Sequence, residues 1–261
     1  MSNDIGPILD AWHYDGSSVS ARWIKGLDGN AKIQMRVDLG VLQMETSGRP
    51  DGSRHHGFRS LLEYHRDVES RQPESSCGLL LDADDCAKLQ QEALQYYYRY
   101  LAFYTLHHLD GVIDDTDHNL DILDLVCEYA ESEDHVWQFM QFYPYVRMMN
   151  ARARVEKLAD QSEYGSATVV IEEALGAIEA FHEVYGEDEE LESSQEMEIL
   201  RELQIRIRNK RPKSREENLL EALDSAIHKE NYERAAELRD LLRAMGRSLP
   251  DAVLHPKDPP P

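Results

Sequence analysis

The sequence predicts a mainly α-helical chain in three parts: a small β-containing N-terminal module, an acidic domain of helical hairpins, and a C-terminal two-helix hairpin. Three observations lead there. Apolar residues alternate only between residues 18 and 46, and from Asp82 onward they recur at helical spacing instead. Negative charge is concentrated: residues 76–200 hold 6 Lys/Arg against 28 Asp/Glu, which equals the whole net charge of −22. A pair of short amphipathic helices lies near the C-terminus. The expected division is 1–75, 76–211, 212–248 and a proline-rich tail at 249–261, whose composition predicts disorder.

Hydrophobic content of 41% with 30% charged residues reads as soluble and globular, and 261 residues suffice for a sizeable core. No apolar run approaches the roughly 20 residues that span a bilayer. The start "MSNDIGPILDAWHYDG" has neither the basic residues nor the apolar stretch of a secretory signal. Cys77, Cys86 and Cys127 form no CxxC pair, which fits reduced thiols in a cytoplasm. The acidic middle repels phosphate backbones and anionic lipid. Neither direct nucleic-acid nor membrane binding is expected, and basic proteins or peptides fit better.

Within the alternating region, "VSARWIKG" and "AKIQMRVDLGVLQMET" read as strands around the turn "LDGN", with Ile33, Met35 and Val37 on one face. "SGRPDGSRHHG" reads as a loop, "FRSLLEYHRDVESRQ" as a helix and "PESSCG" as a linker. The next helix runs from Asp82 to a stop at Gly111, and "DDTDHNLDILDLVCEYAES" makes a shorter one with an acidic start. Pro144 kinks or restarts "DHVWQFMQFYPYVRMMNARARVEKLAD". A helix ending at Gly186 follows. "LESSQEMEILRELQIRIRNK" then carries acidic residues first and basic residues last, which suits the helix dipole. From Tyr145 to about Phe181 the chain resembles a tetratricopeptide-type helix pair. Ala151 and Ala153 are small on its first helix, and "SEYGSATVVIEEAL" matches the start of its second. No regular repeat is visible elsewhere, so an irregular helical bundle stays open beside it.

Catalytic and metal patterns are few. Asp115, Asp117 and Asn119 have the spacing of the first calcium-loop ligands, but Leu120 stands where Gly is required and Val126 where Glu is. An acidic helix start explains them better. His55/His56 and His107/His108 lack further ligands at zinc spacing. Tyr96, Tyr100 and Tyr104 form a stripe that reads as core packing, with a peptide groove as the alternative. The carboxylate pairs Glu172/Glu173 and Glu189/Glu190 read as solvated. No phosphate loop, GxSxG, HExxH or GxGxxG occurs. The expectation is a non-enzyme with no catalytic, cofactor-binding or metal residues.

The strongest signal is "LLEALDSAIHKENYERAAELRDLLRAMG". Its first helix presents Leu219, Leu220, Leu223, Ala226 and Ile227. Asn231 caps the second, which presents Tyr232, Ala235, Leu238 and Leu242, with Leu241 and Met245 beside them and Gly246 as a stop. Ala235 and Ala236 are small where the helices approach. This stretch, above all the "NYERAAELRD" core, resembles the UVR (UvrB/UvrC) motif, a helical hairpin of bacterial excision-repair proteins and of ClpC and McsA-type stress proteins. The resemblance covers about 215–246 and implies protein–protein contact rather than chemistry. The chain lacks the helicase phosphate loop, recognisable nuclease residues and the paired CxxC motifs of McsA-type adaptors.

A hairpin of this size is hard to stabilise alone, since burying one Leu or Ile contributes roughly 1.5–3 kcal/mol. Its apolar stripe is expected to pack on the chain's own helices, on a second copy, or on a UVR-bearing partner. The expected interaction residues are Leu219, Leu220, Leu223, Ile227, Tyr232, Ala235, Leu238, Leu242 and Met245. The functional expectation is a cytoplasmic adaptor in excision repair or stress-related protein quality control. Two alternatives stand beside it: an accessory subunit or cryptic enzyme with a site around Arg49–His56, and a purely structural helical protein.

Overall fold

The structure, a computed structural model, describes residues 4–71, 79–186, 194–212 and 215–245, with the Glu216 side chain excepted. These form two compact units, one up to Arg208 and one from Asn209. The linker at 73–78 with Cys77, the expected boundary at 75/76, Glu189/Glu190, the stop at Gly246 and the tail at 249–261 lie outside the described residues. The chain is mainly helical, with one three-stranded antiparallel sheet near its N-terminus and a helix pair near its C-terminus.

After a short helix α1 (Gly6–Asp10), strands β1 (Ser20–Lys25), β2 (Ala31–Val37) and β3 (Gly40–Glu45) pair in sequence order. The run expected as one strand after "LDGN" folds back at Asp38–Leu39, where Val37 pairs with Gly40. Arg36 holds that bend by donating to the carbonyls of Val37, Asp38 and Gly40. Pairing sets Trp23 opposite Ile33 and Ile33 opposite Met44. Alternation then sends Ile33, Met35 and Met44 to one face, where they are buried. The opposite face carries a polar ladder, Arg22 to Gln34 at 2.7 Å and Gln34 to Gln43 at 3.0 Å.

Seven helices complete the first unit: α2 (Leu61–Arg71), α3 (Ala83–Thr105), α4 (Leu109–Tyr129), α5 (Glu133–Met140), α6 (Tyr143–Asp160), α7 (Tyr164–Tyr185) and α8 (Gln195–Lys210). Pro144 restarts the chain, sitting in the first turn of α6, and Gly186 ends α7. The main core joins the sheet face to Tyr100 and Phe103 of α3, Val112 of α4, Met148 and Val155 of α6, Ile171 and Ile178 of α7, and Leu200 of α8. A second cluster gathers Leu61 and Leu62 of α2 with Leu89, Ile122, Val126 and Phe139. Tyr96 and Tyr100 are buried, and Tyr104 bonds Glu156 at 2.6 Å.

The break between α3 and α4 differs from expectation. The stop is not Gly111 but His107, which adopts φ 54°. Its N–H reaches the Tyr104 carbonyl, and the N–H of His108 reaches that of Phe103. This is a left-handed helix ending that usually employs glycine. Ser162 (φ 63°) ends α6 by the same pattern of bonds. Gly111 lies in the first turn of α4, where a Cβ would stand 2.7 Å from the Phe103 ring. "DDTDHNLD" is therefore helix interior rather than a helix start, and its side chains enter a polar network.

That network centres on Glu92, which is fully buried. Its carboxylate accepts from Arg49 (3.0 Å), the N–H groups of Leu61 (2.8 Å) and Leu62 (3.2 Å), and pairs with His118 (3.2 Å). It thus caps α2 from another helix. Next to it Arg99 grips Asp115 at 2.8 and 2.6 Å and donates to the carbonyls of Glu45 and Gly48. Asp117 pairs with Arg154 at 2.7 Å, and Asn119 donates to the Ala93 carbonyl.

Two expected outcomes follow from these geometries. His107→Gly removes left-handed strain and should raise stability by about 1 kcal/mol, read as a higher urea midpoint at unchanged slope. Acid sensitivity should also trace to the network. Burial raises the Glu92 carboxyl, yet His118 and the α2 N–H groups outweigh it and hold it below its ordinary value. Burial likewise opposes, and Ser53, Gln95 and Arg49 overcome, at Asp51, which falls to about 2. A depressed carboxyl stabilises the fold above its unfolded pKa and loses that contribution as pH falls through the folded value. Asp51→Asn should therefore show a smaller stability loss than the parent between about pH 4 and pH 2. Identical profiles would remove this account.

Candidate protein-interaction hairpin

The second unit is a hairpin of α9 (Arg215–His228) and α10 (Tyr232–Ala244). Arg211 pairs with Glu217 at its base. Glu230 takes φ 56°, with its N–H on the Ile227 carbonyl and that of Asn231 on the Ala226 carbonyl. This is the third left-handed helix ending among the described residues without glycine. Asn231 caps α10 as expected, its side chain accepting from Arg234 N–H at 3.2 Å. Outward positions are charged, with Arg234 and Glu237 paired at 2.6 Å.

The nine expected interaction residues separate by depth. Leu223, Ala235, Leu238 and Leu242 are buried in the hairpin's own seam together with Ala226. Leu219, Leu220 and Ile227 are half-covered against that seam. Tyr232 and Met245 are exposed, as is Leu241, which was not among the nine. Helical spacing sets Tyr232 on one flank of the buried stripe of α10 and Leu241 with Met245 on the other. The buried four close the hairpin on itself, so the half-covered and exposed residues are what it offers outward. Helical periodicity grouped all of them as one stripe, because spacing alone does not distinguish the seam from its flanks.

The UvrB/uvrC motif family (UVR) matches residues 217–248, of which 246–248 lie outside the described residues. The C-terminal hairpin thus carries the UVR motif. No curated protein and no solved structure matches the chain.

The loop around Arg49–His56 is tied down within the first unit. Arg49 bonds Glu92 and Asp51, Asp51 accepts from Gln95 at 2.9 Å, and His56 stacks on Tyr64 at 4.2 Å. Sequence reading found the loop but not these anchors. The spacing of Ser60 and Glu63 signals only where the loop ends and α2 begins, since Ser60 accepts from Glu63 N–H there. An open cleft of about 510 Å³ lies beside the loop, lined among others by Arg59, Arg66, Tyr96, Arg99, Asp115 and His118. Arg99 is bonded to Asp115, His118 to Glu92, Arg59 to Glu63 and Arg66 to Glu69. Among the described residues, no group of three His, Cys, Asp or Glu is placed to hold a metal ion. Both described cysteines are free thiols, and burial raises that of Cys86 to about 11.

Depth predicts the effect of substitution. Leu238→Asp places a charge in the seam and should melt the hairpin, with loss of its helical signal in far-UV circular dichroism. Leu241→Asp, on the exposed flank, should leave that signal within error of the parent. Equal loss from both would mean that the seam is not where the structure puts it.

Proposed function

We propose that the protein is a non-enzymatic cytoplasmic adaptor that docks on another protein through its UVR hairpin. The observation that carries this reading is the motif itself, matched over residues 217–248. The hairpin supports it in a second way. Its seam is closed by its own residues, while Tyr232, Leu241 and Met245 stay exposed on charged helices. Large exposed apolar side chains rimmed by charge are the usual composition of a contact surface. The partner is a UVR-bearing protein or a second copy, and the setting is excision repair or stress-related protein quality control. The acidic first unit keeps the chain off phosphate backbones, consistent with recruiting a nucleic-acid enzyme rather than acting as one.

The test compares three baits in native lysate: the full chain, the chain without residues 212–261, and Tyr232→Glu/Leu241→Glu. The full chain should recover a UVR-bearing partner, or sediment as a dimer. Both alternatives should lose that association by about tenfold or more. Equal recovery and equal sedimentation from all three would sink the adaptor reading.

A further inference from the structure

The first unit exposes an aromatic surface of its own where the last turns of α4 and α7 meet α5. Trp137 of α5 stands 6.1 Å from Tyr185 of α7, Tyr185 stands 5.2 Å from Phe181, and Phe181 stacks on Tyr143 at 5.6 Å. Phe181 is buried and forms the base, whereas Trp137 is 47% and Tyr185 39% exposed. The exposed thiol of Cys127, near the end of α4, lies beside Tyr185 and completes the junction. Solvent-facing rings seated on buried ones offer rigid apolar area at little entropic cost.

The three helices that carry Cys127, Trp137 and Tyr185 bear charge of one sign, while Arg147 of α6 lies one turn after Tyr143. Helices α4, α5 and α7 contain seven, two and four Asp/Glu and not one Lys or Arg. Glu133 lies one turn before Trp137 and near Tyr185. Asp134 also lies one turn before Trp137, and neither Glu133 nor Asp134 makes an ion pair among the described residues. A second copy docking symmetrically would set this acidic face against itself. Nucleic acid and anionic lipid meet the same repulsion. A cationic partner gains from the carboxylates and from the ring faces together.

We propose that this junction is a second docking surface, which takes a basic amphipathic helix of a partner protein. Its apolar side chains lie on Trp137 and Tyr185, and its Lys and Arg side chains lie against Glu133 and Asp134. The site belongs to the first unit and does not depend on the hairpin.

The test titrates a fluorescein-labelled peptide of about 18 residues, long enough for a helix, into the full chain at low and high salt. The peptide carries Lys on one face and Leu with one Phe on the other. Trp137→Ala and Tyr185→Ala should each weaken binding by about tenfold, while Trp137→Phe retains it. Glu133→Gln/Asp134→Asn should weaken it several-fold and flatten its salt dependence. Leu241→Glu in the hairpin should leave it unchanged, which separates this surface from the UVR reading. Because both rings are exposed, unchanged circular dichroism of the variants is part of the expected result. The proposal is overturned by equal binding to Trp137→Ala, by equal binding of the peptide with Glu in place of Lys, or by no binding. A dimer of the full chain that Trp137→Ala dissociates would likewise overturn it, since the occupant would then be a second copy.

Discussion

One buried carboxylate organises the first unit. Glu92 sits on α3 with no exposed surface, and an ion there survives only if it is fully paired. Its donors come from three separate places: Arg49 in the loop after the sheet, the first N–H groups of α2, and His118 on α4. Each is thereby fixed against α3. His118 in turn stacks on Tyr96 at 3.6 Å, and Arg99 next to it spans from Asp115 to the carbonyls of Glu45, at the end of β3, and Gly48. A network of this kind contributes less to net stability than to uniqueness, because any other register of loop on helix leaves a charge buried and unpaired.

The two units use different means to the same end. In the first, an ionic centre lies between two apolar clusters, and long helices bury stripes such as Ala167, Ile171, Ala174 and Ile178. The hairpin has room for neither. Five residues, two of them alanines, make its seam, so close approach of the helices replaces bulk. Little apolar surface is left to hide, and what remains outside lies on the flanks. A hairpin built this way presents a partner with edges rather than an open stripe.

Three of the helix junctions share a device. His107, Ser162 and Glu230 each take the left-handed conformation at a helix end, where glycine is usual. The bonds from each one's own N–H and from the following N–H to the preceding turn hold them there. Glycine punctuation therefore marks this chain poorly, and Gly111 drew attention away from the true break. It is glycine for a different reason: the Phe103 and His108 side chains occupy the space a Cβ would need.

The sequence by itself determined whatever depends on neighbours close along the chain. Alternation at 31–37 marked a strand, Pro144 a kink or restart, Gly186 an end, Asn231 a cap, and "NYERAAELRD" a UVR motif. Each rests on periodicity, a backbone constraint or a local hydrogen bond, and such signals survive without knowledge of the fold. Only the tertiary structure decided which polar residues are buried and which leucines face outward. Glu92 is 43 residues from Arg49 and 26 from His118, and in the sequence it is one acid among fifty. Leu238 and Leu241 are three positions apart, yet one closes the seam and the other stays exposed. Burial and pairing are set by what arrives from elsewhere in the chain, and no spacing within a helix encodes that arrival.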